Sequence, residues 1–239
     1  MSGTTTITVR ALAYGGKFIG QPVGFASVEI FKDGEPAPMA KGKTDQGLLP
    51  NTDGSGVTEK IMAERYLWGQ PISTDQATYF TAEIPLAEPS VLLFSVASYA
   101  NPDIKVYCYR QAIPDVPLTG DKEVVVVLPG LLTEITSPPF IKLTSGIPAN
   151  ITATVRMMCG CKIEDHFWPV KNFSVQATVT GPGPINVQSK TVDLTYTGVP
   201  SEFTAPFPFS IPGTYTVIVA AKEYNGNLGI TKPQTVIVR

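Results

Sequence analysis

The sequence has a single histidine, three cysteines and two tryptophans in 239 residues, and only 16% of it is charged, against about 25% in an ordinary soluble protein. Each shortage excludes something. Eighteen basic residues against twenty acidic ones leave a formal net charge of −2, and no stretch gathers lysine and arginine into a phosphate-tracking surface, so nucleic acid is not an expected partner. Apolar runs such as Val91 to Phe94 and Val124 to Leu128 are strand-sized and far below the roughly 20 residues that span a bilayer. No membrane span is expected. Met1-Ser2-Gly3-Thr4 has neither a basic nor an apolar leader segment, so no secretory signal is read there, as in a mature or trimmed chain. Three cysteines are too few for a disulfide framework and odd in number, which leaves at least one thiol unpaired within a monomer.

What is present is alternation. Ile7, Val9 and Ala11 alternate with Thr6, Thr8 and Arg10, and Val28 and Ile30 with Ser27 and Glu29, so one face of each segment is apolar and the other is expected to meet water. Further strands are expected at 78–84, 91–98, 104–111 and 122–128, the last dense enough in valine for a sheet interior. Asp33-Gly34 marks a tight turn. The alternation stops at Glu134-Ile135-Thr136-Ser137-Pro138-Pro139-Phe140, and a proline pair cannot sit inside a central strand. The expected boundary lies there, giving domains 1–134 and 135–239. Strands are expected in the second part at 151–157, 173–180, 190–195, 201–207, 214–221 and 234–239.

This pattern predicts an all-β chain of two tandem immunoglobulin-like β-sandwich domains, since one such sandwich takes about 100 residues. The first contains a long connection over 33–76. Within it, Thr58 to Trp68 has helix formers, a candidate N-cap and Gly69 as a stop, which reads as a short helix. Long connections carry function disproportionately, so this one is a candidate binding surface.

The segment Pro212-Gly213-Thr214-Tyr215-Thr216-Val217-Ile218-Val219-Ala220, followed by Asn225-Gly226-Asn227-Leu228-Gly229, resembles the late strands of bacterial immunoglobulin-like and PKD-like modules. The resemblance implies that Tyr215 packs at the corner of the sandwich, in the inward phase of Val217 and Val219. More loosely, Ala26-Ser27-Val28-Glu29-Ile30 with Gly42-Lys43-Thr44-Asp45 resembles transthyretin-like, carboxypeptidase-regulatory-like modules. Both resemblances imply spacers, adhesive modules or assembly subunits of secreted and surface proteins, and neither implies a reaction.

One cluster carries chemistry. Met157-Met158-Cys159-Gly160-Cys161 and Glu164-Asp165-His166-Phe167-Trp168 collect two of the three cysteines and the one histidine. Soft sulfur ligands with an imidazole suit Cu(I), or Zn(II) if a carboxylate or Cys108 supplied a fourth ligand. Cys159, Cys161 and His166 are therefore the candidate metal ligands. The competing reading continues the inward phase of Ile151, Ala153, Val155 and Met157 to Cys159 and Cys161 and makes both core residues. A disulfide within the pair or to another chain is a third.

Asn51-Thr52-Asp53-Gly54-Ser55-Gly56 begins like a calcium loop, but Met62 stands where the bidentate glutamate belongs, so a polar turn is expected. A Cys161–His166 nucleophile pair lacks any identifiable orienting group, and no catalytic function is read. Tyr99, Tyr107 and Tyr109, with Trp68 and Trp168, are candidates for a carbohydrate or protein surface. The functional expectation is a structural or adhesive subunit of an extracellular or cell-surface assembly, with protein partners and self-polymerisation through strand edges. The alternative is an extracytoplasmic copper- or zinc-binding protein.

Overall fold

A computed structural model describes residues 3–20, 24–46, 78–138, 142–165, 168–182 and 188–239. Strands account for almost all of its regular structure, as the alternation requires, and the architecture is an all-β sandwich. No helix among the described residues is long and apolar enough to cross a membrane. The chain divides into two compact units, one of Met1–Pro129 with Met158–Gly160 and the other of Gly130–Met157 with Cys161–Arg239.

The first unit contains β1 (Gly3–Ala13), β2 (Ala26–Lys32), β3 (Ala40–Lys43), β4 (Phe80–Leu86), β5 (Ser90–Ser98), β6 (Lys105–Ala112) and β7 (Val124–Leu128). They form a three-stranded sheet in the order β4-β1-β7 and a four-stranded sheet in the order β3-β2-β5-β6. All neighbours are antiparallel except β1 and β7, which run parallel with Val9 beside Val124. The alternating apolar residues fill the core: Ile7, Val9, Val28, Ile30, Leu92, Phe94, Val96 and Val124 are completely buried. Each such side chain stabilises the fold by about 1.5–3 kcal/mol relative to exposure. The Asp33-Gly34 turn forms as read, with Gly34 at φ +82° and Glu35 N–H donating to the Lys32 carbonyl at 3.0 Å. The expected helix at 58–68 and the Asn51–Gly56 loop lie outside the described residues.

Two expectations about this unit change. The valine-rich β7 lies at the edge of its sheet rather than inside it, and the sequence density reflects that Val124, Val126 and Leu128 are buried while Val127 is exposed. More consequentially, the polar phase of β1 is covered from Thr8 onward, while Thr4 is exposed and Thr6 half-buried. Thr8 is 9% exposed and Arg10 only 4%. Arg10 Nε donates to Glu123 Oε2 at 2.8 Å, with both side chains almost wholly buried. Its guanidinium also lies 5.2 Å from the centroid of the Tyr79 ring, a cation–π contact. Thr8 pairs with Thr81, whose hydroxyl donates to the Ile7 carbonyl at 3.1 Å. Beside these, Leu12 and Phe18 form a small apolar cluster with Val125 on the same face.

The second unit contains β8 (Leu131–Ser137), β9 (Lys142–Leu143), β10 (Ala149–Met157), β11 (Phe173–Gly181), β12 (Gln188–Tyr196), β13 (Glu202–Phe207), β14 (Gly213–Glu223), β15 (Leu228–Ile230) and β16 (Gln234–Val238). Their order is β8-β10-β13-β12-β11-β14-β16-β9, with β15 added on β14. β12 joins the two layers. It pairs with β11 as far as Leu194 and with β13 at Thr195 and Tyr196. The stretch read as a boundary, beginning at Glu134, is instead the second half of β8, paired with β10. A strand bordered by prolines is admissible there because β8 is at the end of the ladder. Gly130, the first residue of the second compact unit, has φ +111°, and its N–H donates to Asn227 Oδ1 at 2.9 Å.

Tyr215 sits at the start of β14, inward as its phase implied and 6% exposed. Its hydroxyl donates to the Ile211 carbonyl at 2.9 Å and accepts from the Ile211 N–H at 3.2 Å. Its ring meets Phe209 edge to face at 5.1 Å. A Cβ at Gly181 would overlap that ring, so glycine is required there by close approach. A tyrosine hydroxyl bonded back to the main chain a few residues upstream has the geometry of a tyrosine corner.

The buried Arg10–Glu123 pair generates a stability prediction. Removing one member of a buried pair leaves the other charge uncompensated, a loss of about 3–5 kcal/mol. Glu123→Ala is expected to lower the unfolding free energy of the first unit by about that amount in chemical denaturation, with the second unit's transition unmoved.

Candidate functional site

The sulfur-rich segment forms a reverse turn rather than a continued strand. β10 ends at Met157, whose N–H donates to the Cys161 carbonyl at 3.1 Å, and Gly160 takes φ +80°, a conformation that suits glycine. This turn breaks the period-two phase, and the two cysteines separate in environment. Cys159 is completely buried, close enough to Gly16 that a Cβ there would stand 3.1 Å from its sulfur. Cys161 is half-buried. The expectation that both face inward on one strand is therefore corrected at Cys161, because the strand stops before the pair. His166 lies outside the described residues. Glu164 N–H donates to the Trp168 carbonyl at 3.1 Å. Among the described residues no group of three or more metal-ligating side chains comes together.

The aromatic candidates also separate. Trp168 is 7% exposed and belongs to the core, while Trp68 lies outside the described residues. Tyr99, Tyr107 and Tyr109 are the exposed ones, at 63%, 59% and 55%. Tyr107 and Tyr109 project from the same face of β6, the outermost strand of its sheet.

The register of β6 decides what its free side offers. Ser98 N–H donates to the Ile104 carbonyl at 3.1 Å, which makes them a hydrogen-bonded pair of the antiparallel ladder. Such pairs recur at every second residue, so Val106, Cys108, Arg110 and Ala112 turn their main-chain groups toward β5. Lys105, Tyr107, Tyr109 and Gln111 turn theirs outward. Among the described residues no strand pairs with that side. On the outer face the ladder aligns Tyr109 with Leu93 and Phe31, and Tyr107 with Ser95 and Glu29. The Ser95 hydroxyl there is buried without a hydrogen-bond partner. On the opposite face Cys108, a half-buried free thiol, lies beside Phe94. Burial pushes its thiol up from the ordinary cysteine value, partly offset by the Arg110 guanidinium.

The other edges of this unit differ. β3 is four residues long with Lys41 and Lys43 exposed, and β4 carries exposed Glu83 and Pro85. Short length, charge and proline are how sheets protect an edge. β6 has eight residues and no proline, with Lys105 and Arg110 as its charges, and the five-residue β7 is the remaining terminal strand. Sequence alternation located β6 as a strand, but its edge position followed only from the sheet order.

No family model matches the chain, and no curated protein does. Among solved structures 137 chains match. The fibronectin(III)-like modules of CbhA from Clostridium thermocellum align over 98% of this chain and 92% of theirs, at 14% identity and a TM-score of 0.29. BcpA, the major pilin subunit of Bacillus cereus, aligns over 98% of this chain and 69% of its own, at 12% identity and a TM-score of 0.35. An engineered protein aligns over 49% of this chain at 22% identity and a TM-score of 0.32, and the chain spans only 22% of that protein's length. Likenesses of this degree assign neither a family nor an activity.

The Cys108 environment predicts a pH dependence. With the thiol value raised by burial, alkylation by iodoacetamide under denaturant-free conditions is expected to stay slow where an ordinary cysteine already reacts. The rate should climb only at higher pH. Because the folded value lies above the unfolded one, this group's contribution to stability is complete below the unfolded value and is lost as pH rises through the folded value. Arg110→Gln, which removes the charge favouring thiolate, should move the rate profile further up. A profile unchanged by that substitution would contradict the assignment.

Proposed function

We propose that this protein is a non-catalytic structural or adhesive subunit of an extracellular or cell-surface assembly, built from immunoglobulin-like modules. The observation that carries this reading is the eight-residue edge of β6, unpaired on its outer side among the described residues, with Tyr107 and Tyr109 exposed beside it. An open strand edge is a template for pairing with another chain, and tyrosine supplies amphipathic contact area at small entropic cost. The charged groups that are buried support the same reading, since they serve structure. Arg10 and Glu123 neutralise each other, and Glu223 accepts from Asn227 Nδ2 at 2.5 Å within the β14–β15 hairpin. The tyrosine corner and the layer-switching β12 support the immunoglobulin-like assignment for the second unit, while a transthyretin-like assignment for the first rests on the Ala26–Ile30 and Gly42–Asp45 segments.

On this reading, protease added to intact source cells should degrade the protein, and a surface fraction should retain it in complexes larger than a monomer. Recovery only from inside the cells, as a protein without partners, would overturn it.

A second reading, extracytoplasmic copper or zinc handling, is favoured by one observation. Cys159 and Cys161 lie on the turn that follows β10, where Met157 N–H donates to the Cys161 carbonyl at 3.1 Å. Cys161 is half-buried and so open to a ligand on one side. Titration of Cu(I) or Zn(II) into reduced protein should then show stoichiometric binding that Cys161→Ser weakens at least tenfold, with His166→Ala doing the same. Equal binding by the variants and the parent ends this reading.

A further inference from the structure

We propose that β6 is a self-complementary edge that joins two copies of this chain in antiparallel register about a two-fold axis at Cys108. Main-chain parity decides which residues of β6 can pair outward. Only Lys105, Tyr107, Tyr109 and Gln111 direct N–H and C=O groups away from β5, so any strand added to this edge must bond to those four. For two β6 strands lying antiparallel, one register uses all four from both copies. It sets Tyr107 opposite Tyr109 of the second copy, and Lys105 opposite Gln111 of the second copy. Each is a hydrogen-bonded pair, so the junction forms about eight backbone hydrogen bonds. Shifting the register by two residues in either direction leaves outward groups of each copy without partners.

The side chains agree with this register. On the outer face Tyr107 and Tyr109, 59% and 55% exposed in the single chain, meet their counterparts and form a cluster of four rings flanked by Leu93. Aromatic cross-strand pairs are among the favourable ones on a sheet. No like charges oppose one another. Lys105 faces Gln111, and Arg110 faces Val106, so the two cations of each strand avoid the two of its partner. On the opposite face Cys108 meets Cys108 of the second copy. That pair is not hydrogen-bonded, and such pairs bring Cα atoms to about 4.5 Å, inside the range a disulfide spans.

The axis is isologous, so the product is a closed dimer rather than an open chain. The proposal gives the structural reading above a specific partner. It is tested on purified protein and stands or falls separately from where the cell places the chain.

The experiment is sedimentation of the full chain under reducing conditions, followed by diamide treatment. The parent is expected to sediment as a dimer. Tyr109→Pro, which deletes an outward N–H while leaving the β5 ladder intact, is expected to sediment as a monomer with an unchanged far-UV spectrum. Tyr107→Lys with Tyr109→Lys, which sets like charges across the axis, should do the same and serves if the proline variant misfolds. On oxidation, two Cys108 thiols give up two protons and two electrons to diamide, which becomes the hydrazine. The expected product is a covalent dimer that Cys108→Ser abolishes while remaining a non-covalent dimer. A monomeric parent overturns the proposal, as does a dimer indifferent to both tyrosine variants or one whose cross-link survives Cys108→Ser.

Discussion

The constraint on which this architecture depends is that a strand has two hydrogen-bonding sides and a sheet always runs out of partners. The second unit meets it by continuity. β12 leaves β11 after Leu194 and takes up β13 at Thr195, so one ladder serves both layers. At the far end the two-residue β9 lies parallel on β16 at Ile237 and Val238, while β15 extends the same side of β14. The first unit keeps two separate sheets and so has more ends to protect. β3 is short and charged and β4 carries a charge and a proline, while β7 and β6 each end their sheet with an outer side unpaired among the described residues. β6 is the longer of these two, with Tyr107 and Tyr109 exposed beside its outward side.

A second consequence of layered packing appears at β1. An amphipathic strand has one face for the core and one for water, yet Thr8, Arg10 and Leu12 on the polar phase are buried. A guanidinium cannot be taken from water without a counter-charge, and Glu123 supplies it at 2.8 Å. One oxygen, Glu123 Oε1, is left without a hydrogen-bond partner, so the pair is stabilising only relative to its own disruption. Its value lies in fixing the approach to β7, since Glu123 immediately precedes Val124, the residue that lies beside Val9 in the parallel register.

Much of this was legible in the sequence, and the reasons for success and failure differ by residue. Strand existence followed from period-two alternation, which is local, and β2, β5, β6, β10, β11 and β14 fall where Val28, Phe94, Tyr107, Ile151, Val175 and Val217 place them. Tyr215 was readable because a corner tyrosine needs only its own neighbours. Arg10 was not, because the Glu123 and Tyr79 side chains that meet it are distant in the sequence. β8 was hidden by Pro138 and Pro139, which mark a strand's end as well as a linker, and the usable signal lay earlier, in Pro129-Gly130. The Cys159–Cys161 pair illustrates the limit of phase arguments. A glycine at φ +80° between the two ends the alternation, so extrapolating the strand placed Cys161 more deeply than it sits.

Edge position is the least local property of all, since it depends on which strands a segment fails to meet. Once β6 is known to be an edge, however, the sequence becomes informative again, because ladder parity converts residue numbers into main-chain directions. The same reasoning bounds what the edge can build. An isologous pair consumes β6 in both copies, so growth beyond two requires another surface. In the second unit Leu228, Ile230 and Ile237 are 61%, 66% and 45% exposed on β15 and β16, strands that share one side of β14. An apolar row of this kind is the sort of surface that contacts another protein. The two surfaces differ physically: the proposed junction at β6 is a directional backbone contact, whereas an apolar row is non-directional. Only the first has its geometry dictated by the chain itself.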